Sequence, residues 1–157
     1  MKTQVKLLAL AIVLSAALCA AATAQLANAT AEAEVRAAIV AFNQAYEKNQ
    51  LDQYFSYYGA NASLVFYFER TSLEDYKKMW RQLIADGGGV EKNLISDLQV
   101  VANPSGDTAF ATYFLQVDTR QPDGKVNKEQ ANETDVWFKT ADGWRLAHLN
   151  YSAQPME

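Results

Sequence analysis

The apolar positions of this chain change their period part-way along it. From Thr30 to Asn49, Val35, Ile39, Phe42 and Tyr46 recur at helical spacing, with Glu32 and Glu34 in the first turn, where the helix dipole favours negative charge. A second, short helix is predicted over Leu51 to Tyr58, ended near Gly59, and then a strand over Ala62 to Phe68. Thr71 and Glu74 fit a capping box for a third helix, which carries Tyr76, Met79, Trp80 and Leu83 and stops at Gly87-Gly88-Gly89. Beyond that point the period becomes two. Strands are predicted over Lys92 to Ala102 and Thr108 to Val117, separated by the turn cluster Asn103-Pro104-Ser105-Gly106, with a polar loop over Thr119 to Asn127. A hairpin from Asn132 to Ser152, turning at Asp142-Gly143, closes the chain. Helices first and consecutive strands afterwards predict an α+β fold with an antiparallel sheet covered by helices on one side. A curved sheet of this kind, wrapped around a long N-terminal helix, leaves a cavity at its open end.

The first residues do not fit that domain. Lys2 and Lys6 precede an apolar run from Leu7 to Ala22, and Ala22-Thr23-Ala24 is a small-x-small cleavage site, so residues 1–24 read as a secretory signal peptide, removed before Gln25. The run is shorter than the roughly 20 residues a membrane span needs. Residues 25–157 are then a single domain, with 25–31 a loose leader. Cleavage takes away the only cysteine, Cys19, and two of the 14 basic side chains; 12 remain against 18 acidic ones, a net charge of −6. Disulfide and thiol chemistry are thereby excluded within the mature chain. An acidic surface argues against nucleic acid or an anionic membrane as a partner. The expected location is outside the cytoplasm, in a bacterial periplasm; the Ala-rich leader looks bacterial, and there the Asn-x-Ser/Thr sequons at Asn28, Asn61, Asn132 and Asn150 carry no glycan.

The last hairpin holds the candidate chemistry. With Asp142-Gly143 as the centre of a type I′ turn, Trp137 opposes His148, Asp135 opposes Asn150 and Glu133 opposes Ser152, with Cβ atoms about 5 Å apart. One face then gathers Glu133, Asp135, His148 and Asn150 beside tryptophan. The other carries Val136, Phe138, Ala147, Leu149 and Tyr151, an apolar surface that predicts a homodimer through sheet faces. His148, the only histidine, suits proton transfer near neutral pH; packed against Trp137 it would be inert. Asp135 beside tryptophan would have its pKa raised, as a general base needs, or would be tied to Asn150 or an arginine. Glu133, near the strand end, is expected to be solvated. One histidine among carboxylates is a poor metal site, and no cofactor is called for. Tyr46, Tyr67, Trp80, Tyr113, Trp137 and Asn150 are the expected pocket residues.

Glu133-Thr134-Asp135-Val136-Trp137, Asp142-Gly143-Trp144, His148 and the exit Ser152-Ala153-Gln154-Pro155 resemble the closing strands of the nuclear transport factor 2-like superfamily. The closest likeness within it is to the SnoaL-like group and to the association domain of calcium/calmodulin-dependent protein kinase II. Phe42 to Tyr54 (FNQAYEKNQLDQY) resembles that family's first helix and the start of its second. The resemblance implies a cone-shaped, cystatin-like α+β fold, a pocket, and dimerisation or higher assembly through the sheet. It also implies that a pocket Asp can act as a base, as in ketosteroid isomerase and the polyketide cyclases. The kinase domain has a pocket arginine where this chain has Asp135, and an apolar counterpart near Leu115 stands for a second, so an anion site is not implied. No kinase catalytic segment is present. Two functions follow as expectations: a secreted small-molecule-binding or homo-oligomerisation module, or a pocket enzyme of the isomerase, cyclase or dehydratase type using Asp135 and His148.

Overall fold

The computed structural model describes the backbone of residues 2–156 and the side chains of residues 25–156. The expected signal sequence, residues 1–24, lies outside the described side chains. Three helices, α1 (Lys2–Glu47), α2 (Leu51–Ser56) and α3 (Leu73–Ala85), accompany six strands: β1 (Tyr58–Phe66), β2 (Glu69–Thr71), β3 (Gly89–Ala102), β4 (Thr108–Arg120), β5 (Val126–Thr140) and β6 (Gly143–Pro155). The sheet runs β2-β1-β6-β5-β4-β3, antiparallel throughout except where β1 lies parallel to β6. Register irregularities between Val90 and Lys92 and between Ser96 and Gln99 interrupt β3 against β4. Extra residues of this kind bend a strand and increase its twist, and the sheet is curved and left unclosed.

The helical stripe of α1 fills the concave side. Val35 and Ile39 are fully buried and Phe42 nearly so, packed against Trp137 at 5.9 Å between ring centroids, edge to face. Residues 25–31, expected as a loose leader, continue the helix instead, and Ala31 is buried. At the other end of α1, Asn49 takes a left-handed backbone conformation (φ 56°). Its side chain brackets the backbone of Val90, donating Nδ2 to the carbonyl (2.9 Å) and accepting the Val90 N–H at Oδ1 (2.8 Å). That fixes the first strand of the long meander to the end of the helix. The third helix is capped one residue later than expected: Ser72, not Thr71, accepts the Asp75 N–H at 3.1 Å. Tyr76 and Trp80 of α3 close over the widened end of the sheet and are buried.

The closing hairpin differs from its expected register in two ways. Thr140 pairs with Gly143, so the turn residues are Ala141 and Asp142, and only Gly143 has a positive φ (98°). A type I′ turn needs positive φ at both central residues; here the two-residue loop lies one position earlier and a left-handed glycine follows it. Trp137 therefore opposes Leu146. The ladder then skips a residue: Val136 opposes His148, Asp135 opposes Leu149, Thr134 opposes Asn150 and Glu133 opposes Tyr151. The skipped residue, Ala147, is a β-bulge, and because side chains alternate with period two it reverses the sides of everything after it. His148 and Asn150 leave the inner face. Leu149 and Tyr151 join it.

Candidate functional site

The inner face of β5 carries Trp137, Asp135 and Glu133 toward α1. Asp135 is fully buried and Glu133 is 5% exposed, against the expectation of a solvated Glu133. Facing them from β4 is Tyr113, also buried. Its hydroxyl lies within hydrogen-bonding reach of Glu133 Oε1 and 3.0 Å from Asp135 Oδ2, and Asn43 Nδ2 of α1 approaches the Tyr113 hydroxyl oxygen at 3.4 Å. Trp137 Nε1 donates to Asp135 Oδ2 at 3.3 Å, and Asn93 Nδ2 on β3 donates to Asn43 Oδ1 at 2.8 Å. Asp135 Oδ1 has no partner.

A phenol has one hydrogen to give, so Tyr113 cannot donate to both carboxyls. The arrangement that satisfies every atom of the bridge places one proton on Glu133. Glu133 then donates to the Tyr113 oxygen, and Tyr113 donates to Asp135. Electrostatics favour that order. Burial, and then the charge of Asp135 beside it, raises the Glu133 carboxyl well above the usual range. Burial pushes Asp135 up to about 7, held back by the bonds from Tyr113 and Trp137. Near neutral pH the pair therefore shares a proton held chiefly by Glu133. Coupled carboxyls of this kind lose their protons in steps that belong to the pair.

Glu133 is also where this network meets open space. A cavity of about 450 Å³ lies between α1, α2, α3 and the inner face of the sheet. Its wall is aromatic: Tyr46, Tyr54, Phe66, Tyr76, Trp80 and Tyr151, with Leu115 and Val117 from β4. The hydroxyls of Tyr54, Tyr58 and Tyr76 satisfy one another at 2.7 and 3.1 Å. At the mouth, the Tyr67 hydroxyl shares its one hydrogen between the two oxygens of Glu129 (2.7 and 2.9 Å), and Tyr151 donates to one of them (3.1 Å).

Of the expected site residues, Tyr46, Tyr67 and Trp80 line the cavity. Tyr113 and Trp137 stand behind it as hydrogen-bond partners of the acids. Asp135 reaches the cavity only through Tyr113 and Glu133. His148 and Asn150 are on the outer face, so the expected Asp135–His148 and Asp135–Asn150 pairs do not form; the bulge at Ala147 separates them. Sequence reasoning missed Asn43 and Asn93. An available signal was Asn43 itself, a polar residue four positions after Ile39 on an otherwise apolar helical stripe. Among the described residues, no group of three or more His, Cys, Asp or Glu side chains is placed to hold a metal ion.

The outer face of the sheet carries an apolar patch. Leu94, Val101, Phe110, Phe114 and Phe138 are all roughly half exposed, and Val101, Phe110, Val136 and His148 lie side by side across four strands.

A family model for the SnoaL-like domain matches residues 35–157, which spans the C-terminal part of α1 and everything from α2 to β6. The chain belongs to the SnoaL-like family. Solved structures of the same fold include a candidate dehydratase of the nuclear transport factor 2-like family from Streptomyces avermitilis. It is 20% identical, with a TM-score of 0.66 over 82% of this chain and 98% of that one. A ketosteroid isomerase-like protein from Erwinia carotovora atroseptica is 17% identical, with a TM-score of 0.64 over 78% and 95% of the two chains. A candidate calcium/calmodulin-dependent kinase II association domain from Exiguobacterium sibiricum superposes with a TM-score of 0.65 at 7% identity, over 79% of this chain and 92% of that one. No curated protein matches the sequence significantly. At these identities the likeness is one of fold, a SnoaL-like cone that hosts binding and enzymatic functions alike. Function must come from the site.

Proposed function

We propose that this SnoaL-like chain is a small-molecule-binding domain whose ligand occupies the aromatic cavity, with the remaining oxygen of protonated Glu133 as a hydrogen-bond acceptor at its inner end. The observation that carries this reading is the cavity of about 450 Å³ ending on Glu133. That volume suits a ligand of modest size, and apolar walls with a few converging polar groups are what such sites share. With its one proton given to Tyr113, the neutral Glu133 carboxyl keeps its other oxygen to accept a hydrogen bond from a ligand hydroxyl or N–H. The half-exposed apolar outer face supports a homodimer formed sheet to sheet, and the leader supports export of the mature chain to the periplasm. Thermal-shift and tryptophan-fluorescence titration against a fragment library tests the binding reading, because Trp80 lines the cavity. Hits whose binding is lost in Trp80→Ala are expected. A library that yields no hit sensitive to that change would refute it.

A second reading, a pocket enzyme moving protons, has its own observation. Glu133, Tyr113 and Asp135 form a continuous relay in which the Asp135 carboxyl is raised to about 7. In that reading Glu133 is the group that touches substrate, with Asp135 behind it and His148 uninvolved. The dehydratase and isomerase-like names of two fold relatives lend it support at the level of analogy. Glu133→Gln separates the readings. It would abolish turnover of any substrate found, whereas a binding site would retain its ligand with altered affinity.

A further inference from the structure

We propose that the cavity accepts an organic cation, an alkyl- or arylammonium, with its charge against Glu129 and its apolar body along the aromatic wall. This rests on the binding reading above and names the class of ligand. Every charged residue in the lining is acidic: Glu69, Glu129 and Glu133, with no Lys, Arg or His among them. Glu133 is neutralised by its proton, which leaves the two at the mouth.

Glu129 is the better placed of these. Its two oxygens are held by three contacts from Tyr67 and Tyr151. Phenol donors orient a carboxylate without cancelling its charge, and both phenols stay neutral because burial and the carboxylate itself raise them. None of the ion pairs among the described residues involves Glu129. An oriented carboxylate with no counter-charge, at the rim of an aromatic cavity, is an attractive seat for a positive group.

The rings add to this. Tyr67 and Tyr151 meet edge to face at 5.8 Å, and Phe66 stacks on Tyr76 at 4.5 Å. Their negative faces attract a cation lying within about 6 Å. Further in, Trp80 lines the cavity with its ring, while its indole N–H is sealed off beside the Tyr76 hydroxyl. A molecule with an ammonium at one end and an apolar body matches both the carboxylate at the rim and the aromatic wall. An anion would meet two carboxylates at the entrance.

Three probes of one shape and different charge test this: 2-phenylethylammonium, 2-phenylethanol and phenylacetate, titrated by calorimetry and by tryptophan fluorescence into the folded protein. The ammonium should bind about ten-fold or more tighter than the alcohol, with phenylacetate weakest. The cation-to-alcohol ratio should shrink with added salt and fall toward one in Glu129→Gln. Glu69→Gln, at an exposed position with no side-chain partner, is the second variant and should lower the ratio partially without affecting the melting temperature. Equal or tighter binding of the alcohol or the carboxylate overturns the cation proposal while leaving a binding cavity in place. Absence of binding by all three overturns the proposal as well, and the fragment titration then decides separately whether the cavity binds anything.

Discussion

Replacing Asp135 by asparagine isolates the cost of the buried acid pair. The Asp135 carboxyl is raised from 3.8 to about 7 by burial. The folded state therefore holds this proton more tightly than the unfolded state does. The associated stability is fully present below about pH 4 and is lost as pH rises toward 7. A shift of about three units at roughly 1.4 kcal/mol each amounts to about 4 kcal/mol between those limits. The amide substitute does not titrate. Its carbonyl can take the Tyr113 and Trp137 donors, and its NH2 falls where Oδ1 already lacks a partner, the position of the proton in the neutral acid. Near pH 4 the two proteins should thus differ by less than about 1 kcal/mol, the range of an exchanged hydrogen bond. Near pH 8 Asp135→Asn should be the more stable by up to about 4 kcal/mol. Urea unfolding followed by tryptophan fluorescence across pH 4 to 8 measures the difference. Parallel stability curves, or a variant less stable at pH 8 than at pH 4 relative to the parent, would show that Asp135 carries no buried charge and that the proton order inferred for the pair is wrong.

Tyr113→Phe removes the bridging hydroxyl and leaves Glu133, Asp135 and Asn43 each short of a partner. It should cost about 2–3 kcal/mol in chemical unfolding, with no loss of helix content by circular dichroism. Phe110→Asp, on the outer face where the side chain is 47% exposed, should yield a monomer by light scattering with an unchanged melting profile; a parent that is itself monomeric at micromolar concentration refutes assembly through that face. Ser72→Ala removes the cap of α3 and should cost about 1 kcal/mol; because α3 roofs the cavity, ligand affinity should weaken with it.

The helices and the long strands were legible because their residues obey one period over many positions. The stripe Val35, Ile39, Phe42, Tyr46 could hardly be read otherwise, and the alternation through Ala109, Ala111, Tyr113, Leu115 and Val117 places all five inside. What was not legible follows from single residues that break a period without announcing it. Tyr67 and Phe68 both take positive φ (50° and 71°) at the tight turn between β1 and β2, where sequence reasoning looks for glycine, asparagine or aspartate. The short strand β2 was therefore missed. Ala147 and His148 give no sign of a bulge either, having neither glycine nor proline. The consequence reached the site: His148 was placed beside Asp135. Glu133 was assigned to solvent for another reason, because β5 begins at Val126 and so holds Glu133 in mid-strand rather than near its end. Asp135 and Trp137 could be assigned to one face because they precede the irregular step.

The bulge at Ala147 also bears on how the last strand knows its place. Between the turn and Leu146 the register follows from the loop alone. Beyond Ala147 it cannot, because a ladder zipping outward from the turn would continue without a skipped residue and carry His148 inward opposite Asp135. The offset holds only because Leu149 and Tyr151 find α1 and the cavity wall on the inner side, where a histidine and an asparagine would gain nothing. A peptide cut to residues 132–152 would lack that support and should pair without the offset. The geometry of the acid pair in the intact domain is in this sense written by a helix a hundred residues upstream as much as by the hairpin that carries it.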